Sequence, residues 1–442
     1  MKEISYPPKI ISKLSLDERK QISQAIYNNQ EIGFAWLEKI RKFISFHNRN
    51  LKRISTKRFD KEASAHLIWM KEIIYAQISS SNDLIIDSAL LNAAFIISDA
   101  CPLNSKQKNY FYNLIDKYQK DLINTHPQEL KSISKIKQCK FSFNSWKTAN
   151  CKKIPVTIFS PSPYSLFSIS VLKILLALNI EVKAIVILKF SFSRIRSELY
   201  RDGLKLFLKR VWRKLILRAD ENKVKTDLSL MHLKNSIAPE ISDIRQLAKS
   251  KNIPCYMVDT FSDSLNVQKN KKGDLCIFTG GGLIPKQVLD YFSYGVINVH
   301  MGPLPQYKGM DVVEAPILDG AFNNIALTSH LMEAKLDSGP LIAEMSFRSD
   351  EYQSLDALRN EMGAMMPILA IDSIISILSN PENLYDQEPK GKQYYFIHDR
   401  LKEIISEVMF SRFNSSNSNL SEDRDRKLDA FNLLISDFTN VS

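Results

Sequence analysis

Glycine is almost missing from the first 150 residues of this chain, where Gly33 stands alone. Nine of the 13 glycines lie instead between Gly273 and Gly339. Because glycine is needed where the backbone turns tightly or approaches a ligand closely, we expect a functional site in this window. The apolar residues of the glycine-poor part recur at helical spacing, which predicts helices without a chemical signature.

Cysteine is also scarce, and the five cysteines include no C-x-x-C pair: Cys101, Cys139, Cys151, Cys255 and Cys276. This spacing favours neither a disulfide framework nor a zinc site, so no metal is expected. No stretch approaches the roughly 20 apolar residues of a membrane-spanning helix, and the most apolar region is 164–190. The first residues lack the apolar core of a signal peptide. We therefore expect a cytoplasmic protein.

Negative charge is in deficit, since 48 Asp and Glu face 60 Lys and Arg, which gives a net charge of +12. Such an excess favours anionic partners, for example nucleotide phosphates, tRNA or an anionic membrane surface. Residues 193–225 alone contain 11 Lys or Arg against four acidic residues. This basic insertion permits two interpretations: a packing helix with a solvated face, or a face that binds a nucleotide or phospholipid.

The hydrophobic period divides the chain into three regions. Residues 1–150 predict an all-α domain of unknown role, capped at its first helix by Ser15 or Asp17. Its predicted helices lie near 16–46, 61–79, 83–98 and 105–124. Residues 151–380 predict an α/β domain, because strands and helices alternate there as in a parallel sheet. The predicted strands lie near 156–159, 182–188, 255–258, 275–278, 296–299 and 326–331. Residues 381–442 predict a polar C-terminal extension, flexible near 414–426.

One predicted strand delivers two polar side chains to its end. Side chains two apart point to the same face of a strand, so Asn298 and His300 lie side by side. A loop containing two prolines and two glycines follows at once. Asp337 then arrives at another glycine-bounded turn. An amide, an imidazole and a carboxylate suit acyl transfer, as oxyanion donor, proton carrier and orienting group.

Five short blocks follow one another in this region: Gly281-Gly-Leu-Ile-Pro-Lys-Gln-Val-Leu289, Ile297-Asn-Val-His300, Leu304-Pro-Gln-Tyr-Lys-Gly309, Pro316-Ile-Leu-Asp-Gly320 and Leu336-Asp-Ser-Gly-Pro-Leu-Ile342. In this order they resemble the catalytic half of the formyltransferases that use 10-formyltetrahydrofolate. Members of that family act on methionyl-tRNA, on glycinamide ribonucleotide or on amino sugars of nucleotide sugars. The resemblance implies an α/β fold with a Rossmann-like parallel sheet, to which this chain adds its N-terminal all-α domain.

The resemblance also implies roles for individual residues. Asn298, His300 and Asp337 match the catalytic residues of the family, and Thr328 and His330 match residues that support them, with Thr328 bonding the Asp337 region. The co-substrate 10-formyltetrahydrofolate lies in this family against the backbone of two loops. The matching positions here are Gly282, Leu283, Ile284, Pro285, Glu333 and Leu336. Lys308 is a candidate contact for an anionic substrate.

The acceptor is where the chain departs from the family pattern. Met301-Gly-Pro-Leu-Pro305 replaces the usual serine-leucine-leucine-proline after the histidine, and the polar tail is unlike the barrel domain of methionyl-tRNA formyltransferases. Both features favour a small amine over tRNA, and an amino sugar of an anionic nucleotide sugar is the first choice. Hydrolysis of 10-formyltetrahydrofolate and a non-catalytic scaffold stay open as alternatives, as does the oligomeric state.

Overall fold

The computed structural model of the protein describes residues 15, 17, 18, 21, 91, 92, 95, 105–125, 138–139, 143–189, 229–267, 274–280, 282–388, 391–394, 397–415 and 422–439. The basic insertion 193–225 lies outside these residues, and so do the helices predicted before residue 105, apart from single positions. At one of these positions the predicted cap is confirmed, because the amide of Glu18 donates to Oγ of Ser15 at 3.3 Å. The all-α domain as a whole stays a prediction.

The strands are buried runs rich in Val, Ile and Leu, as expected for a sheet covered on both faces. They are β1 (Val156–Ser160), β2 (Val182–Leu188), β3 (Cys255–Val258), β4 (Leu275–Phe278), β5 (Val296–His300), β6 (Tyr307–Gly309), β7 (Ile325–Leu331), β8 (Leu341–Phe347) and β9 (Lys392–Tyr394). Seven of them form one sheet in the order β3-β2-β1-β4-β5-β7-β8, while β6 and β9 pair separately. All six predicted strands are therefore present.

The parallel sheet predicted from the sequence is confirmed for β1 to β5. The exception is the strand predicted at 326–331, because β7 runs antiparallel to β5. Strand β8, which the sequence did not predict, runs antiparallel to β7. A parallel crossover needs a dozen or more residues, usually including a helix. Only residues 332–340 connect β7 to β8, which is too short for such a crossover.

Helices cover both faces of the sheet. They are α1 (Ser105–Asn124), α2 (Phe143–Lys147), α3 (Leu166–Ala177), α4 (Leu230–Ile237), α5 (Ile244–Ser250), α6 (Ser264–Val267), α7 (Lys286–Leu289), α8 (Glu314–Leu318), α9 (Leu355–Ser379), α10 (Asp399–Ser415) and α11 (Glu422–Thr439). Helices α3 and α9 pack against one face. A second cluster, containing Phe159, Phe261, Phe278 and Phe292, lies on the other. The fold is thus an α/β fold with a mostly parallel sheet.

Helix α9 corrects the expectation that no stretch approaches the length and hydropathy of a membrane span. Among the described residues it is the one helix that passes this test, with a mean hydropathy of 1.8 over 18 residues. However, 83% of that window is buried inside the protein. A helix that is apolar all round belongs either in a core or in a membrane, and α9 packs against β5, β7, β8, α3 and α4.

The C-terminal extension forms helices where the structure describes it. Where it is described, the span 414–426 ends α10 and begins α11. Helix α10 buries Leu401, Ile405 and Val408 in the main core and packs against α1. The predicted flexibility near 414–426 stays a prediction, because the structure does not describe residues 416–421.

A buried ion pair joins α8, just after the glycine-rich loop, to α9. The carboxylate of Glu314 is 1% exposed and lies 2.6 Å from Nη2 of Arg359. Arg359 also lies 3.5 Å from Asp311, whose carboxylate receives Lys402 of α10 at 2.9 Å. The network therefore fixes three elements around the end of that loop, and its removal from one side would leave Glu314 buried without its partner.

We expect Arg359→Met to lower the free energy of unfolding by about 3–5 kcal/mol, because an unpaired buried carboxylate is costly. The matched control is Lys286→Met, which breaks an exposed pair with Asp290 and should cost at most about 1 kcal/mol. Urea unfolding followed by circular dichroism measures both. Equal losses in the two variants would contradict a structural role for the buried pair.

Candidate active site

Strand β5 positions the first two candidate residues as predicted. Its register with β7 pairs Asn298 with His330 and His300 with Thr328. Asn298 is half-buried, whereas His300 is 8% and His330 1% exposed. Four polar side chains therefore lie on two adjacent antiparallel strands, where directly opposite residues are close enough to interact.

Thr328 holds the loop that follows β5. Its hydroxyl donates to the carbonyl of Gly302 at 2.9 Å and accepts from the amide of Leu304 at 3.3 Å. This differs from the predicted contact with the Asp337 region. A Cβ atom at Gly302 would lie 2.6 Å from Cγ2 of Val312 and 2.9 Å from Nε2 of His300. The absence of a side chain at this position therefore lets the loop lie close against the imidazole.

The β7–β8 connection brings Asp337 to the same place. Asp337 has a φ of +49°, a left-handed conformation that Asp tolerates better than most residues. Its Oδ2 accepts from the amide of Gly309 at 2.9 Å. Two residues later, a Cβ at Gly339 would lie 1.8 Å from the carbonyl oxygen of Leu331, so the turn can close only with glycine there.

Asp337 lies between two imidazoles. Its Oδ2 is 3.8 Å from Nδ1 of His300, and its Oδ1 is 3.8 Å from Nε2 of His330. The carboxylate is 8% exposed. Both separations exceed a direct hydrogen bond, but they are short enough for the negative charge to stabilise a protonated imidazole. The structure thus brings together Asn298, His300, His330 and Asp337.

The hydrogen bonds of His330 determine its tautomer. Its Nδ1 faces the carbonyl of Leu331 at 3.0 Å and must therefore carry the proton, which leaves Nε2 to accept from Nδ2 of Asn298 at 3.2 Å. Burial, followed by the nearby His300, lowers the pKa of His330 to about 4, although Asp337 opposes the shift. His330 is therefore neutral at physiological pH, and it fixes the orientation of the Asn298 amide.

His300 is held by a backbone group that the sequence does not indicate. Its Nε2 donates to the carbonyl of Tyr307 at 3.1 Å, which turns Nδ1 towards Asp337. The phenol of Tyr307 donates in turn to Asp319 at 3.1 Å. Tyr307 lies in one of the motif blocks. Its contact with His300 could not be predicted from the sequence, because the contact is made by the backbone carbonyl and not by the side chain.

The two loops predicted to contact the co-substrate are exposed at their tips. The side chains of Leu283 and Leu336 are 79% and 42% exposed, respectively. Ile284 is buried in the second apolar cluster, and Met332 packs against the same cluster. Both loops are therefore anchored on the same apolar cluster. The other predicted positions are Gly282, at φ +115° with open space beside it, Pro285 and the exposed Glu333.

Lys308 adds a positive charge at this site. It is half-buried and forms no ion pair with any other residue that the structure describes. Burial and the positive charge of Lys335 lower the pKa of Lys308, while the carboxylate of Asp337 raises it. Lys335, which the sequence did not single out, therefore acts on Lys308 by charge repulsion.

A family comparison agrees with the motif blocks. Residues 261–371 match the formyl transferase family, which confirms the resemblance for this part of the chain. The segment contains the candidate residues from Gly282 to Asp337.

Curated relatives match over a similar part of the chain. A methionyl-tRNA formyltransferase of Fusobacterium nucleatum is 30% identical over 139 residues, covering 30% of this chain and 44% of the relative. One from Staphylococcus epidermidis is 28% identical over 148 residues, covering 33% and 47%, respectively. The chain thus spans about half the length of these relatives.

Solved structures with distant similarity include a sugar 3N-formyl transferase determined in the presence of dTDP and 5-N-formyl-THF. It is 15% identical with a TM-score of 0.33, over 59% of this chain and 79% of that chain. A phosphoribosylglycinamide formyltransferase from Bacillus halodurans is 16% identical with a TM-score of 0.33, over 53% and 100%, respectively.

The neutral state of His330 predicts a pH dependence of stability. Its pKa is about 4 in the folded protein and about 6.5 in an unfolded chain, so only the unfolded state takes up the proton between these values. The neutral imidazole therefore contributes about 3 kcal/mol to the free energy of unfolding. This contribution is fully present above pH 6.5 and is lost as the pH falls to 4. Urea unfolding of His330→Gln should show a shallower loss than wild type across that window. The control is His232→Gln at an exposed position of α4. An unchanged slope in His330→Gln would contradict the assignment.

Proposed function

We propose that this chain, whose residues 261–371 match the formyl transferase family, is an N-formyltransferase that uses 10-formyltetrahydrofolate as co-substrate. One observation carries the proposal: Asp337 lies 3.8 Å from two imidazoles, and the neutral one orients the amide of Asn298. These groups match the needs of formyl transfer, in which an amine attacks a carbonyl carbon and negative charge develops on the formyl oxygen.

Asn298 supplies a donor for that oxygen. One hydrogen of its Nδ2 is occupied by Nε2 of His330, and the second is left for the substrate. Because the neighbouring imidazole accepts, the amide presents its NH2 rather than its carbonyl. A hydrogen-bond donor that is already oriented does not have to reorganise when negative charge develops on the formyl oxygen. This preorganisation is the basis of oxyanion stabilisation.

His300 and Asp337 transfer the proton. The attacking amine must lose one proton, and the nitrogen that leaves the formyl group must gain one. Nδ1 of His300 and Oδ2 of Asp337 face each other across 3.8 Å, so a group lying against both can exchange a proton with either. The carboxylate also stabilises a positive charge on the imidazole while the oxyanion forms.

The chain also has loops that fit the co-substrate. The exposed leucines Leu283 and Leu336 offer apolar contact for a flat ring system, and the backbone at Gly282 is open on its side-chain face. 10-Formyltetrahydrofolate supplies the formyl group when bound. The backbone groups of Ile284, Pro285 and Glu333 then contribute orientation rather than chemistry.

For the acceptor we propose a small anionic amine, with an amino sugar of a nucleotide sugar as the first choice. Lys308 supports an anionic acceptor, since it is half-buried beside Asp337 without an ion pair to another described residue. Beyond residue 380, the described chain forms β9 and the helices α10 and α11, with no barrel among these residues.

Two other acceptors compete with this choice. Methionyl-tRNA is favoured by the names of the curated relatives, which are methionyl-tRNA formyltransferases. Water would make the protein a hydrolase of 10-formyltetrahydrofolate, because the same groups can activate either nucleophile. A non-catalytic scaffold agrees poorly with an intact set of Asn298, His300 and Asp337. We also propose that the protein acts in the cytoplasm.

His300→Ala and Asp337→Asn should each lower kcat for formyl transfer by about 10²–10⁴, the usual loss for a proton-transfer or oxyanion group. The matched control is His232→Ala, an exposed histidine of α4 that should leave kcat unchanged. Circular dichroism would check that all three variants fold. Formyl transfer by His300→Ala at the wild-type rate would rule out this site.

Lys308→Gln should raise KM for the anionic acceptor about tenfold, which corresponds to roughly 1.4 kcal/mol, with a smaller change in kcat. Lys249→Gln, at an exposed position of α5, is the control. The assay incubates the protein with 10-formyltetrahydrofolate and amino-nucleotide sugars, glycinamide ribonucleotide, methionyl-tRNA or water alone. Mass spectrometry detects a product heavier by one formyl group. Formylated methionyl-tRNA would identify tRNA as the acceptor, and donor turnover with no acceptor present would identify water. Either result would contradict the proposed amino sugar.

A further inference from the structure

A segment outside the family match contacts two site loops: the loop that follows β5, at 301–306, and the turn between β7 and β8, at 332–340. It comprises residues 385–388 and 391–394, which follow α9 in the chain. At its start, Tyr385 and Leu341 exchange two backbone hydrogen bonds, of 2.7 and 2.9 Å. Leu341 begins β8, immediately after the turn that carries Asp337. Tyr385 also packs with Leu341 and Leu304 in a small apolar cluster of its own, so it touches both loops at once.

The next contacts reach the turn and the loop directly. Nε2 of Gln387 donates to the carbonyl of Gly339 at 2.7 Å. Gly391 has a φ of +132°, and a Cβ there would lie 1.8 Å from the carbonyl oxygen of Pro305. The backbone of this segment therefore packs so closely against the loop that follows His300 that no side chain fits at position 391.

The last part of the segment, β9, is the partner of β6. The carbonyl of Tyr394 accepts from the amide of Met310 at 3.1 Å. Its phenol shares the carboxylate of Asp319 with the phenol of Tyr307, and the two rings stack with their centroids 5.2 Å apart. The strand pairing, a backbone hydrogen bond and a shared carboxylate thus fix the position of β6.

Strand β6 is the element whose backbone binds both catalytic groups. The carbonyl of Tyr307 accepts from His300, and the amide of Gly309 donates to Asp337. The distance between His300 and Asp337 therefore depends on where β6 lies, and β6 is held by β9. A displacement of about 1 Å in such an arrangement can cost 10²-fold in rate.

We propose that residues 385–388 and 391–394 form a clasp that sets the separation of His300 and Asp337, and that Gln387, Gly391 and Tyr394 are positioning residues for the reaction. The effect on kcat rests on the proposed formyl transfer, whereas the clasping of the two loops does not. The clasp lies beyond residue 371, where the family match ends. The matched segment by itself is therefore insufficient for a competent site.

The test compares Gly391→Ala with Gly363→Ala in the full chain. A methyl group at Gly391 must displace the carbonyl of Pro305 by more than 1 Å, whereas one at Gly363 in α9 meets nothing within 4 Å. Hydrogen exchange measured by mass spectrometry should rise at 301–310 and 332–339 in Gly391→Ala only. Its kcat should fall about 100-fold, whereas the kcat of Gly363→Ala should stay at the wild-type value.

Two milder variants guard against misfolding of Gly391→Ala. Gln387→Leu and Tyr394→Phe each remove one hydrogen bond, and each should raise exchange in the same two loops and lower kcat roughly fivefold. Combined with Asp337→Asn, Gln387→Leu should cause no further loss, because it acts through that carboxylate. Unchanged exchange in all three clasp variants would overturn the clasp. If wild type transfers no formyl group, the exchange comparison still decides the clasp, and only the proposed function fails.

Discussion

The carboxylate of Asp337 is the group on which the rest of the site depends. It accepts a hydrogen bond from the backbone of β6, and it lies at equal distances from the imidazoles of His300 and His330. In a buried setting its charge acts strongly on both rings. The two rings nevertheless differ, because burial and the nearby His300 lower the pKa of His330 to about 4 and hold that ring neutral.

The sheet topology creates this arrangement. Because β7 runs antiparallel to β5, Thr328 and His330 face His300 and Asn298 in register. The short return to β8 carries Asp337 through a turn that requires glycine at position 339. Helix α9 then covers β5, β7 and β8, which supplies the dry core against which these strands are fixed. If β7 ran parallel to β5, Thr328 and His330 would not face His300 and Asn298 in this register.

Much of this could be predicted from the sequence, since side-chain period and glycine placement are local signals. The spacing of Asn298 and His300 predicts a shared strand face, and three strands have the predicted bounds. The antiparallel direction of β7 was missed because residues 301–324, which connect β5 to β7, are long enough for either direction. Helix α9 was missed because a helix that is apolar all round lacks an amphipathic period. Contacts through backbone groups, such as the carbonyl of Tyr307 and the amide of Gly309, leave no trace in side-chain identity. The C-terminal contacts depend on chain segments far apart in sequence.

Nitrogen NMR of histidine-labelled protein tests the central claim most directly, since it reports which ring nitrogen carries the proton. The signals of His330 are assigned by their loss in His330→Gln. The account predicts that His330 is neutral from pH 5.5 to 8, with the proton on Nδ1 and an unprotonated Nε2 that accepts from Asn298. A proton on Nε2 of His330, or titration of this ring near pH 6.5, would contradict the account.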